Sequence, residues 1–213
     1  MNEKRRTVNL LRILYPIWSI VGLFSLMYVP GKLIVEGDAA TTASNILGNG
    51  FLFRLGIVGS LITQILFIFT AVLLYKLFKD VNKEQSILMV ILALVAVPIA
   101  MISELGKLAA LFLLGNPEQM MFFLNLNLQG IVIASIFWGL WLFPLGSLIY
   151  ESNYFPKLVG IAVIIGGIGY TLDSFVKLLL PNLTSLAPVF EVMLFGELVF
   201  ILWIVIRGAK LTS

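Results

Sequence analysis

Long apolar stretches recur along almost the whole chain, and they constrain the fold more than any other feature. Each spans roughly 20 residues, the length that a helix needs to cross the hydrocarbon core of a bilayer. The strands of a membrane barrel would alternate apolar and polar residues, and these stretches do not. Of the 213 residues, 60% are hydrophobic and 12% are charged, whereas about a quarter of a soluble domain is charged. The sequence therefore predicts an all-α polytopic membrane protein.

The pattern predicts one domain over residues 1–213, with six transmembrane helices in one bundle. The first apolar run follows the basic start MNEKRRTVNLLR and ends in MYVPGK. It lacks the small-residue cleavage site of a signal peptide, so we expect a retained helix. Pro98 and Pro144 lie within the third and fourth spans and are expected to kink them. The predicted spans are about 13–29, 55–78, 86–114, 122–150, 158–180 and 188–206.

Lysine and arginine in the loops predict the orientation. Cytoplasmic loops carry an excess of these residues. If the N-terminus is inside, the outer loops hold only Lys32 and Arg54. The inner side then holds Lys4, Arg5, Arg6, Arg12, Lys76, Lys79, Lys83, Lys157, Arg207 and Lys210. We therefore expect both termini in the cytoplasm.

The longest outer loop, residues 31–53, contains the segment GDAATTASNILGNG. Asp38 is suited to cap the start of a helix and Gly48 to stop it. One side of the intervening helix would carry Ala39, Ala43, Ile46 and Leu47. We expect a short helix lying over the outer mouth of the bundle, with a mobile surface loop as the alternative.

Polar residues within the spans concentrate in the outer halves. A charged side chain at the centre of a membrane helix costs about 2.5–3.5 kcal/mol. Such residues usually face the bundle interior or a cavity and pair with one another. We expect a charged pocket that opens outward. Its expected members are Arg54, Glu104, Lys107, Asn125, Gln129, Asp173, Lys177 and Glu197.

The segment GYTLDSFVKLLLP raises the question of why an aspartate lies in an apolar helix. Asp173 and Lys177 are four residues apart, and such a pair stabilises an exposed helix by only about 0.2–0.5 kcal/mol. We therefore expect Asp173 to contact Arg54 or Lys107 as well as, or instead of, Lys177. Small residues on the same side of that helix, Ala162, Gly166 and Gly169, predict close helix packing.

A purely structural role is the alternative for these charges. Asp173–Lys177 and Glu104–Lys107 would then be local ion pairs that hold helices together. Glu197 has no cation three or four residues away on its own helix, so we interpret it as functional. Glu191 lies nearer the helix end and about 120° around the helix from Glu197.

The sequence offers no catalytic constellation. It contains no cysteine and no histidine, which removes the usual zinc ligands and the commonest general base. No Gly-x-Ser-x-Gly elbow and no phosphate-binding glycine pattern occurs. We expect no metal, no cofactor and no nucleic-acid partner, and an enzyme is the less favoured interpretation.

Several blocks, in a fixed order, cover almost the whole chain: GDAATTASNIL, FRLGI, LLYKLFKDVNKEQSIL, FWGLWLFPLGSLIYESNYFPKLVGI, GYTLDSF and GELVFILWIVIRG. These blocks resemble the bacterial integral-membrane family known as domain of unknown function 4386. The resemblance implies a multi-pass protein of the bacterial cytoplasmic membrane. It implies no activity and no catalytic residues.

Three functions are compatible with this pattern. The leading hypothesis is binding or proton-coupled transport of a small polar or amphiphilic molecule. The first alternative is a non-catalytic membrane module with a sensory, protective or scaffolding role. The second is a lipid-modifying membrane enzyme. The expected partners are the lipid bilayer and a small-molecule ligand, and the sequence leaves the oligomeric state open.

Overall fold

The computed structural model describes residues 3–180, 182–183 and 187–211. Every regular element within these ranges is helical. The elements are α1 (Glu3–Leu23), a π-helical turn (Phe24–Tyr28), α2 (Val29–Leu33), α3 (Ala39–Gly48), α4 (Gly50–Phe78), α5 (Lys83–Phe112), α6 (Pro117–Leu140), α7 (Leu142–Ser152), α8 (Lys157–Leu179) and α9 (Ala187–Ile206).

Six helical stretches in the described residues are long and apolar enough to cross a membrane. They are Glu3–Leu33, Gly50–Phe78, Lys83–Phe112, Pro117–Ser152, Lys157–Leu179 and Pro188–Ile206. The all-α, six-span prediction is therefore confirmed. The first helix begins at Glu3 rather than near Ile13, because lysine, arginine and glutamate are good helix formers that an apolar pattern does not detect.

The fourth predicted span consists of two helices, α6 and α7, which meet at Trp141. Pro144 explains the break. Its ring has no N–H to donate to the carbonyl of Leu140 and would collide with that group in a continuous helix. Helix α6 ends at Leu140. Pro98, by contrast, lies inside the continuous helix α5.

The predicted short helix in the first long loop is present as α3. The backbone N–H and the hydroxyl of Thr41 donate to the two carboxylate oxygens of Asp38, at 2.9 and 2.7 Å. These bonds cap the helix and hold the pKa of Asp38 below its ordinary value. Helix α3 ends at Gly48, as predicted, and the next residue, Asn49, donates its side-chain amide to the carbonyl of Asn45 at 3.0 Å.

The predicted buried side of α3 was wrong at one position. Leu47 is 65% exposed, whereas Thr42, Ala43 and Ile46 are buried. Two hydrogen bonds hold the Thr42 side of the helix against the preceding segment. The hydroxyl of Thr42 accepts from the backbone N–H of Val35 and donates to the carbonyl of the same residue. The buried side of α3 thus includes the polar residue Thr42 and leaves out Leu47.

The chain divides into two compact units. The first unit comprises Met1–Pro16, Phe67–Ala96 and Val132–Ser213, and the second comprises Ile17–Leu66 and Val97–Ile131. Helix α3 belongs to the second unit. The apolar core there is formed by Val29, Leu33, Ala43, Ile46, Phe53, Ile57, Ala110, Met120 and Leu124.

Glycines bring α8 close to its neighbours in the first unit. Gly139 and Gly146 are seven residues apart, as are Gly160 and Gly167. A Cβ atom added to Gly167 would lie 2.9 Å from the carbonyl oxygen of Gly139, and one added to Gly160 would lie 2.6 Å from that of Gly146. The two pairs therefore meet in antiparallel register, with backbone against backbone.

The opposite partner of α8 is α9, and here the predicted small-residue side is confirmed. A Cβ atom on Gly166 would lie 3.3 Å from the backbone nitrogen of Glu197. One on Gly169 would lie 2.6 Å from the side chain of Met193, and one on Gly196 would overlap the carbonyl oxygen of Ala162. The glycines thus fix the position of the helix that carries Glu197.

The predicted orientation can be tested at two exposed positions, Ser44 in α3 and Glu84 in α5. We expect a Ser44→Cys variant to react with a membrane-impermeant thiol reagent in intact cells, because the first loop is predicted to lie outside. A Glu84→Cys variant should react only after the cells are permeabilised. The reverse pattern would overturn the orientation.

Candidate functional site

A buried polar cluster lies in the second unit, where α4 and α5 meet. Glu104 is 1% exposed and Lys107 is 5% exposed. Lys107 Nζ donates to Glu104 Oε1 at 3.0 Å, and the hydroxyl of Ser60 on α4 donates to the same oxygen at 2.9 Å. The sequence predicted Glu104 and Lys107 as site residues, and the structure brings them together inside the protein.

The second carboxylate oxygen of Glu104 is different. Glu104 Oε2 is buried and has no hydrogen-bond partner among the described residues. The side-chain oxygen of Gln64 is also buried without such a partner. Gln64 lies four residues after Ser60, on the same face of α4 and about 6 Å along the helix. The second unit therefore contains two buried hydrogen-bond acceptors, Glu104 Oε2 and Gln64 Oε1, that have no donor among the described residues.

Two glycines allow α5 and α6 to approach closely beside the cluster. A Cβ atom added to Gly106 would lie 2.5 Å from the carbonyl oxygen of Phe123. One added to Gly130 would overlap the hydroxyl of Ser103. Because the backbones lie so close, the Asn127 side chain can donate to the carbonyl of Ser103 at 2.8 Å. The helix–helix contact at this level of the second unit is thus polar as well as tight.

The two amides that the sequence predicted as site residues do not belong to this buried cluster. Asn125 and Gln129 are exposed, whereas Asn127 is buried. Asn125 and Gln129 share one helix face, and Asn127 lies about 160° around the helix from both. The exposed face of α6 therefore carries the two amides chosen from the sequence, and the buried face carries Asn127. Arg54, also named as a site residue, is exposed at the start of α4.

The remaining predicted residues lie in the first unit. Lys177 Nζ donates to Asp173 Oδ2 at 2.7 Å, with the lysine side chain 55% exposed and the aspartate side chain 19% exposed. Among the described residues of the first unit, Asp173 forms its ion pair with Lys177. A contact of Asp173 with Arg54 or Lys107 stays a prediction.

Glu197 lies on α9, where Gly166 and Gly196 pack the helix against α8. Its Oε1 atom is buried and has no hydrogen-bond partner among the described residues. Two tyrosines, Tyr15 and Tyr170, lie close enough to interact electrostatically with this carboxylate. The side chain of Glu191 lies outside what the structure describes.

These arrangements define what the described residues can do chemically. Glu104 and Glu197 each present one unpartnered carboxylate oxygen within the protein, which can accept a hydrogen bond or take up a proton. In the described ranges, no three carboxylates come together in a way that could hold a metal ion.

Comparison with known proteins places these features in a family. The family model described as domain of unknown function (DUF4386) matches residues 13–208. A protein of the archaeon Archaeoglobus fulgidus, described as an uncharacterized protein, is 31% identical over 162 residues, which cover 74% of this chain and 86% of that protein. No solved structure matches the chain.

The resemblance implied a bacterial family. The archaeal relative shows that similar sequences also occur outside bacteria. The family match covers the helices that carry the buried cluster and the helix that carries Glu197. The chain, with six helices long and apolar enough to cross a membrane among its described residues, belongs to the family described as domain of unknown function (DUF4386).

Proposed function

We propose that this protein binds a small polar or amphiphilic molecule at the buried cluster of Ser60, Gln64, Glu104 and Lys107, and moves it in exchange with protons. The supporting observation is the pair of buried, unpartnered acceptors, Glu104 Oε2 and Gln64 Oε1. A buried polar atom left without a partner costs about 1–3 kcal/mol. A ligand that brings hydrogen-bond donors would remove that cost on binding.

The cluster also indicates the chemistry of the ligand. The two unpartnered atoms are both oxygens that accept hydrogen bonds. A hydroxyl or amine group satisfies such atoms, whereas an ionised carboxylate or phosphate offers them acceptor oxygens and no donor. The surroundings within the second unit are apolar, with Ile57 and Phe53 buried on the same helix as Ser60. The fitting ligand is therefore an apolar body with one or two donor groups.

Proton coupling follows from the same carboxylate. Because Lys107 donates to Oε1, Oε2 is the oxygen of Glu104 at which a proton and the donor group of a ligand would compete. Glu197, whose Oε1 is likewise unpartnered, is a second candidate for proton exchange.

A structural role for the charges is the competing proposal, and one observation favours it. Glu104 and Lys107 are three residues apart on one helix and already neutralise each other. A non-catalytic membrane module would need nothing more from them. However, an ion pair that only neutralises charge does not explain the buried amide oxygen of Gln64.

The proposed location is a cytoplasmic membrane, with both termini in the cytoplasm.

A probe series with one apolar body tests the proposal on the purified protein in lipid nanodiscs. We expect 2-phenylethylamine and 2-phenylethanol to raise the thermal midpoint, and ethylbenzene, which has no donor, to leave it unchanged. Gln64→Leu should abolish the shift because it removes an acceptor. Glu104→Gln should weaken the shift by the amine most, because it removes the negative charge.

Lys177→Gln is the matched control, since it removes an exposed cation from the other unit. Its shifts should equal those of the unchanged protein. If ethylbenzene stabilises as much as its donor-bearing analogues, or if Gln64→Leu responds normally, the cluster is not the binding site and the structural role is correct.

A further inference from the structure

A basic cleft lies in the first unit between the start of α1 and the segment that follows α9. It has a volume of about 450 Å³. Four cationic side chains line it, from Arg5, Arg12, Arg207 and Lys210, and no carboxylate is among the lining residues. All four are exposed, so they keep their charge at low cost and can reach a bound anion.

Backbone contacts hold the two walls of the cleft in place. The Nε–H of Arg12 donates to the carbonyl of Val205, near the end of α9, at 3.0 Å. The backbone N–H of Lys210 donates to the carbonyl of Tyr154 at 2.9 Å. Gly208 adopts a φ of 69°, a conformation that glycine reaches without strain. The chain therefore turns after α9 and is fixed beside α1.

The neighbouring cation Lys4 serves a different purpose. Its ammonium lies 3.0 Å from Asp80 Oδ2 and 3.0 Å from the hydroxyl of Tyr154. The hydrogen bond from Lys4 lowers the pKa of Asp80. An acid thus balances Lys4 outside the cleft, whereas the lining of the cleft contains only cations among its charged groups. The excess positive charge is concentrated at one place.

The position of the cleft along the helices indicates the source of the anion. Arg12 immediately precedes the first apolar run and Arg207 immediately follows the last, so the cleft is at the level where lipid headgroups lie. Large apolar side chains next to it are uncovered: Leu10 is 45%, Ile13 is 63% and Ile206 is 68% exposed. These side chains offer a surface for an acyl chain.

We propose that this cleft binds the phosphate group of an anionic phospholipid, whose acyl chains lie along Leu10, Ile13 and Ile206. Arginine matches the oxygens of phosphate through paired hydrogen bonds. Arg12 has four N–H donors on its terminal nitrogens besides the Nε–H that binds Val205. The site is separate from the cluster at Glu104 and does not depend on the proposed transport function.

The test is native mass spectrometry of the protein released from nanodiscs of phosphatidylcholine mixed with phosphatidylglycerol. We expect preferential retention of phosphatidylglycerol by the unchanged protein. An Arg5→Gln/Arg207→Gln variant should lose roughly thirty-fold in retention, because each arginine that contacts the lipid phosphate in the cleft contributes about five-fold to binding. Neither substitution removes a backbone contact that holds the cleft together.

A Lys79→Gln/Lys83→Gln variant is the charge-matched control, since both residues are exposed and neither lines the cleft. It should retain phosphatidylglycerol like the unchanged protein. An equal loss in the control would mean that general surface charge attracts the lipid, and the proposal would be wrong. Displacement of the lipid by inorganic phosphate at equal concentration would also overturn it, because the site would then serve a soluble anion.

Discussion

A Lys107→Met variant is expected to lose about 3–5 kcal/mol of stability, because Glu104 is then left as a buried carboxylate with no cation. Glu104 and Lys107 are 1% and 5% exposed, so water cannot replace the missing partner. Removing both charges, in Glu104→Gln/Lys107→Met, should restore much of the loss. Unfolding in mild detergent, followed by circular dichroism, measures the difference.

The Asp173–Lys177 pair is the internal comparison. Its lysine side chain is 55% exposed, and exposed pairs contribute about 0–1 kcal/mol. Lys177→Met should therefore change the unfolding midpoint little. If Lys107→Met is equally mild, Glu104 is not held as a buried ion, and its environment must contain water or another donor.

Gly196→Leu is expected to have the second large effect. A side chain at this position would overlap the backbone of Ala162, so α9 would have to move away from α8. Overpacking of a well-packed contact costs about 1–3 kcal/mol, and here the obstacle is backbone, which cannot rotate aside. We expect a strong loss of folded protein in membranes, measured by size-exclusion chromatography after extraction.

Gly48→Leu provides the matched control. It introduces the same side chain into a helix, but a Cβ atom at Gly48 has no atom within 4 Å. Its yield and chromatographic profile should match those of the unchanged protein. If Gly196→Leu behaves in the same way, α8 and α9 do not pack closely through their glycines.

Much of the fold could be predicted from the sequence because the bilayer imposes length and hydropathy on each spanning helix. The six spans and the capped helix after Asp38 followed from those patterns. The break at Trp141 was only partly predicted, since Pro98 and Pro144 have the same intrinsic chemistry yet only the second ends a helix.

The site was harder to predict because depth along a helix can be read from the sequence, whereas the buried face cannot when most faces are apolar. Glu104 and Lys107 were identified by their charge, but Asn125 was preferred to Asn127 although only Asn127 is buried. Gln64 was not among the expected site residues. Its spacing of four from Ser60 was the available signal, and it became informative once Ser60 was seen to bond Glu104.

The most direct test of the binding proposal is an experimental structure of the protein in lipid nanodiscs, at a resolution that shows ordered small molecules. The expected result is density from outside the chain within about 3 Å of Glu104 Oε2 and Gln64 Oε1, with Lys107 still bound to Oε1. If both oxygens instead receive hydrogen bonds from the protein itself, with no density between them, the cluster is a structural element and the proposed function is wrong.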